Sequence, residues 1–162
     1  MNESARPAME SRCLCTALRK ASRRISQLYD SALAPSGLKT TQRAILAEIA
    51  RSQKATMGAL AEALVMDAGG LAHTLKPLVR DGLVQLSVDP KDRRNRLIRL
   101  TPAGRSRLRA TDALWETAQR NFEKGFGPAE SRALCEAMQL LTSDHFAESF
   151  APGLLQRARA RR

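Results

Sequence analysis

The sequence predicts a mainly α-helical fold carrying one small β-hairpin. Apolar residues recur at helical spacing through most of the 162 residues, only the stretch from Val84 to Leu100 switches to alternation, and two short helices with a tight link stand just before it. A chain of this length buries one respectable core, so one integrated domain is expected. Its parts are an N-terminal helix (1–36), a middle region (37–104), and C-terminal helices with a basic tail (105–162).

In chain order, Leu14, Leu18, Ala21, Ile25 and Leu28 lie on one stripe of a helix expected from about Met9 to Leu33, because steps of three and four residues return to the same face. Ala34-Pro35-Ser36-Gly37 ends it. A second helix starts at about Thr40, capped by Thr40 or Thr41, with Ile45, Leu46 and Ile49 inward. Thr56 can cap a short helix carrying Leu60, Ala61 and Leu64, and Asp67 another carrying Leu71, Leu75 and Leu78 up to Asp81-Gly82. Two short amphipathic helices with a tight link form a helix-turn-helix, whose second helix can lie in the major groove of DNA.

Val84, Leu86 and Val88 then alternate with polar residues, Asp89-Pro90-Lys91-Asp92 breaks the run, and Ile98 and Leu100 face inward on a returning strand. The hairpin tip gathers Lys91, Arg93, Arg94 and Arg96, with Asp92 among them. Together these elements read as a winged helix-turn-helix. Thr101-Pro102 starts a helix expected to run unbroken to about Lys124 with Leu108, Leu114, Trp115, Ala118 and Phe122 on its apolar side. A last helix spans about Ala129 to Thr142, and Phe146, Phe150, Leu154 and Leu155 suggest one more packed turn. The terminal helices need a surface to cover them, so a homodimer joined through them is expected.

The formal net charge of +11 attracts polyanions. Aromatic content of 4% argues against single-strand binding by ring stacking and favours duplex DNA. No apolar run reaches membrane-spanning length and no cleavable leader is evident, so no membrane and a cytoplasmic location are expected. Cys13, Cys15 and Cys135 form neither a disulfide framework nor a metal quartet, so no metal and no cofactor are expected. No nucleophile-base pair or Gly-rich phosphate loop marks an enzyme.

Asp89 to Gly104, reading DPKDRRNRLIRLTPAG, resembles the wing signature of the MarR-type transcriptional regulators, and Leu60-Ala61-Glu62 and Leu78 to Val84 are similar to that family's helix-turn-helix landmarks. The resemblance implies a homodimer of winged helices that binds double-stranded DNA at a pseudopalindromic operator, with repression as the default. It implies that Arg94 enters the minor groove, that Asp92 holds the wing tip through an ion pair, and that Lys91 and Arg93 contact phosphate. In the recognition helix, Ala68-Gly69-Gly70 replaces the Arg, Ser or Thr side chains of many relatives. Base reading then falls to Asp67, His73, Thr74 and Lys76, and weaker specificity is expected; a sequence-tolerant architectural DNA-binding protein is the alternative function.

The same resemblance implies two signals. Leu14 to Leu18 looks like the first helix of the family's peroxide-sensing branch, with Cys15 as the oxidised thiol, Tyr29 of the other subunit hydrogen-bonding it, and Cys13 resolving only after rearrangement. Arg19 replaces an aromatic of that branch, and the competing expectation for Cys15 is a small core residue. Cys135 is expected to be packing. A small aromatic effector in the cleft lined by Tyr29 and Trp115 is the second signal, against which Trp115 as plain core is weighed.

Overall fold

In a computed structural model, residues 13–52, 54–90, 92 and 96–153 are described. The element order is α1 (Leu14–Leu33), α2 (Thr40–Arg51), α3 (Met57–Ala63), α4 (Ala68–Arg80), β1 (Val84–Val88), β2 (Arg96–Leu100), α5 (Pro102–Ala110), α6 (Asp112–Phe126), α7 (Pro128–Leu141) and α8 (Asp144–Phe150). The strands pair antiparallel with Val84 opposite Leu100 and Val88 opposite Arg96. The winged helix-turn-helix is therefore present.

The core gathers Ile45, Leu46 and Ile49 of α2, Leu60 and Ala61 of α3, Leu71, Leu75 and Leu78 of α4, and Val84, Ile98 and Leu100 of the hairpin. These are the inward positions that the apolar spacing predicts. Each fully buried leucine or isoleucine contributes on the order of 1.5–3 kcal/mol relative to exposure, so this one cluster fixes how the hairpin sits on the helix-turn-helix.

Several expectations need correction. The cap of α2 is Lys39, whose amide donates to Gln42 Oε1 at 2.9 Å, while the Thr40 amide donates to Asp30 Oδ1 of α1 at 2.7 Å; an acid ten residues upstream does the work expected of a threonine. The helix from Pro102 breaks at Thr111, which is fully buried. Its hydroxyl donates to the Leu108 carbonyl at 2.6 Å and accepts from Arg43 Nε at 3.0 Å. Arg43 also bonds Asp112 at 3.2 Å and lies 4.2 Å over the Trp115 ring. A β-branched side chain that bonds back to its own helix and anchors a second one favours such a bend.

The outer half of β1 lies beyond the core, since Leu86 and Val88 are exposed. On α1 the stripe Leu14, Leu18 and Leu28 is exposed too, and only Tyr29 and Leu33 of that helix are buried. Phe150 is also exposed on the short α8, so it does not pack as expected, and Leu154 and Leu155 lie outside the described residues.

Candidate nucleic-acid interface

The helix-turn-helix is built by its caps. Thr56 Oγ1 accepts from the Ala59 amide at 3.2 Å and Asp67 Oδ1 accepts from the Gly70 amide at 2.8 Å, each satisfying one orphan donor of a first helical turn. Between them α3 ends in a paired closure, with the Met66 amide on the Ala61 carbonyl and the Val65 amide on the Glu62 carbonyl. That pattern places Val65 at the left-handed position usually held by glycine, and its φ is 50°. A β-branched residue there is strained.

With Leu71, Leu75 and Leu78 buried, the opposite side of α4 presents Gly69, His73, Lys76 and Arg80 to solvent at helical spacing, with Asp67 and Ala68 exposed at the start. Gly70 and Thr74 are half-buried. The Thr74 hydroxyl donates back to the Gly70 carbonyl at 3.0 Å, so it faces a ligand mainly as an acceptor. Likewise the Asp67 carboxylate is committed to its cap. Of the predicted readers, His73 and Lys76 are therefore the exposed ones with no such duty on the helix. Arg80, missed in the sequence, continues their stripe; it stands four residues after Lys76, and its guanidinium donates to Asp81 at 2.9 Å.

The wing root is more firmly held than its sequence suggests. Asp89, read there as a loop breaker, is buried and pairs with Lys54 Nζ at 2.6 Å. The Ala55 carbonyl accepts from the Ile98 amide at 2.9 Å, and Thr56 bridges Leu97. The segment entering α3 is thus tied to β2. Gly104 lets α5 start against this root, since a Cβ there would overlap the Leu83 carbonyl; Thr101, which caps α5 through the Gly104 amide at 3.0 Å, also donates to the Gly82 carbonyl at 2.6 Å. At the tip, Asp92 and Arg96 are exposed, whereas Lys91, Arg93 and Arg94 lie outside the described residues.

Tyr29 and Trp115 do come together, with ring centroids 4.9 Å apart and Tyr29 buried. The Tyr29 hydroxyl donates to Gln119 Oε1 at 2.9 Å within the same chain. Burial, with the Cys135 and Glu123 charges behind it, raises its pKa above the ordinary phenol value. All three cysteines are exposed, so neither the core reading of Cys15 nor the packing reading of Cys135 holds within one chain. Cys13 occupies the cap position of α1. Hydrogen bonds from the Thr16 side chain and then its amide lower the Cys13 pKa from the usual thiol value. Among the described residues no group of three His, Cys, Asp or Glu side chains could hold a metal ion, and no described helix is long and apolar enough to cross a membrane.

The model of the MarR family matches residues 36–95. Among solved structures, the M. tuberculosis transcriptional regulator MosR in complex with DNA is 36% identical, over 78% of this chain and 94% of that one, with a TM-score of 0.69. A probable transcriptional regulator from Pseudomonas aeruginosa is 29% identical over 77% and 93%, with a TM-score of 0.69. Bordetella bronchiseptica BpsR, described for regulation of its DNA binding by 6-hydroxynicotinic acid, is 23% identical over 85% and 99%, with a TM-score of 0.75, a likeness of fold. Comparison with the curated proteins gave no match.

Proposed function

This chain belongs to the MarR family, and on that premise we propose that it is a homodimeric transcriptional repressor that binds a pseudopalindromic DNA operator. The observation that carries the reading is the outward stripe of α4, Gly69, His73, Lys76 and Arg80, set beside a wing whose root is anchored by Lys54 and Asp89. Two copies would place their α4 helices about one DNA turn, roughly 34 Å, apart. Arg94 is the proposed minor-groove residue, where narrow A/T-rich stretches concentrate negative potential. Lys91 and Arg93 are proposed as phosphate contacts and Asp92 as the residue that shapes the tip.

Because Ala68, Gly69 and Gly70 offer no base-reading side chains, operator preference rests on few groups: His73 and Lys76 at base edges, aided by Asp67 and Thr74 as acceptors. Selection from random duplexes should return a two-fold symmetric site with a short, tolerant half-site. An unsymmetrical or featureless pool would instead favour the architectural alternative. Within the selected site, Arg94→Ala should lower affinity about tenfold or more, and Lys76→Gln should reduce the salt slope of binding by about one.

For the released state the thiol reading gains a specific support, since the Cys13 thiolate is favoured by Thr16. Peroxide would oxidise that thiolate to a sulfenic acid with loss of hydroxide, and the thiol of Cys15 would condense with it to a disulfide, releasing water. In this proposal Cys15 is as open to attack as Cys13, both thiols being exposed, and the disulfide forms only after the first turn of α1 rearranges. Alkylation followed by mass spectrometry should give Cys13 an inflection below the ordinary thiol range, moving upward in Thr16→Ala; identical profiles for the two proteins would remove Thr16 from the account. Peroxide should release DNA from the wild type and not from Cys13→Ser. For a small aromatic effector, the Tyr29 and Trp115 pair is the proposed site, and quenching of Trp115, the sole tryptophan, reports its occupation.

A further inference from the structure

Helix α1 is apolar along one side and cationic along the other. From Leu14 to Tyr29 it carries Arg19, Lys20, Arg23 and Arg24 and no acidic residue. At about 100° per residue these four fall on the side opposite Leu14, Leu18 and Ile25. All four are exposed, and a shallow hollow lies among Lys20, Ala21, Arg23, Arg24 and Gln27. Ion pairs engage Arg43, Arg51, Lys54, Arg80 and Arg120; among the described residues none engages the cations of α1. The helix packs on α6 and α2, and α2 in turn packs on α4, so α2 separates α1 from the stripe His73, Lys76 and Arg80. In the proposed dimer the apolar side of α1 is the covered one, which leaves the cationic side in water.

Cations this dense and uncompensated form a polyanion surface. Arg19 and Arg23, like Lys20 and Arg24, stand about 6 Å apart along the helix. A duplex strand presents a charge about every 3.4 Å of its axis, so about three phosphates of one strand span the patch. The residues interleaved with the cations are Ala21 and Ser22, which leaves the contact electrostatic and blind to sequence. A protein partner would need an apolar anchor in a pocket, and this side of α1 offers none. The apolar residues that sink a basic helix into a lipid surface lie on its other side.

We propose that the cationic side of α1 binds the phosphate backbone of a second DNA duplex, without regard to its sequence, while α4 holds the first. The inference rests on α4 being the operator surface. A dimer would carry one such patch on each α1 and could tether a distant stretch of DNA to the operator.

The test uses the full chain with two unrelated short duplexes, one biotinylated and one fluorescent, at low salt. Wild type is expected to capture the fluorescent duplex on the immobilised one. The triple variant Lys20→Gln, Arg23→Gln, Arg24→Gln should cut that capture about tenfold or more and lower its salt slope by about two to three, with affinity for a single duplex nearly unchanged. Arg120→Gln, Lys124→Gln, Arg132→Gln removes the same charge from exposed positions on α6 and α7 and should keep capture. No capture by wild type, equal capture by a folded α1 variant, or a parallel fall in its single-duplex affinity would each overturn the surface. So would displacement of the fluorescent duplex by polyglutamate or phosphatidylserine vesicles at a lower charge concentration than by DNA. The operator reading is scored apart from these, since unchanged single-duplex affinity in Lys76→Gln, Arg80→Gln would overturn α4 as the first site.

Discussion

Gly104 and Asp89 are two single residues on which the wing depends, and the sequence treats them very differently. Gly104 stands three residues after a capping threonine, a pattern that announces a helix start, yet its reason for being glycine is the Leu83 backbone packed against it. Gly104→Ala should therefore destabilise the protein by roughly 1–3 kcal/mol through overpacking, read from urea unfolding midpoints. Asp89 reads as part of a turn because its neighbour is proline; no pattern in the chain announces that Lys54, thirty-five residues earlier by number, would meet it. Lys54→Met should cost roughly 1–2 kcal/mol, between the limits for exposed and buried pairs because the lysine is half-exposed and the aspartate is buried. An unfolding midpoint within error of wild type would demote that pair to a surface contact.

At the scale of elements, helices α3 and α4 were legible because their signals are local: Thr56 and Asp67 cap through donors three residues away, and apolar periodicity marks the buried side. The turn between them illustrates strain that a sequence hides. Val65 holds a left-handed backbone with its side chain exposed, so Val65→Gly should relieve strain and raise stability by about 0.5–1 kcal/mol, measured by thermal unfolding. Lower stability would mean that the valine side chain makes a contact worth more than its backbone costs. What could not be read was the break at Thr111, since it depends on Arg43 reaching from α2, and the shortened core face of β1, since alternation carries no information on where the packing partner stops.

For the molecule as a whole, apolar spacing found the stripe on α1 but could not say what covers it. Leu14, Leu18 and Leu28 are exposed within one chain, and Phe126, Leu134, Leu140 and Phe150 are exposed on α6, α7 and α8. Surfaces of this kind on terminal helices suit a second copy. Leu18→Glu and Leu28→Glu should shift sedimentation toward the monomer and, with it, weaken operator binding; a stable dimer in the double variant would place the interface elsewhere. The exposed side of α4 was legible for the same reason the core was, because one side of a helix cannot be both inside and outside. Its limits were set by Asp67 and Thr74, whose polar groups turned out to serve the helix itself.

The bend at Thr111 gives this architecture the mechanics of a pair of callipers. One arm, α5, is set on α2 and the hairpin and the other, α6, on the terminal helices α1 and α7, with Arg43 pinning the joint. At a rise of 1.5 Å per residue, α6 is about 22 Å long, so a change of about 5° in the joint moves its far end by about 2 Å. In a two-fold assembly both joints would act in opposite senses, and the gap between the two reading heads would open or close by about twice that amount against a DNA whose groove spacing does not change. In the proposed dimer Arg43 would set that gap as well as the stability of the fold.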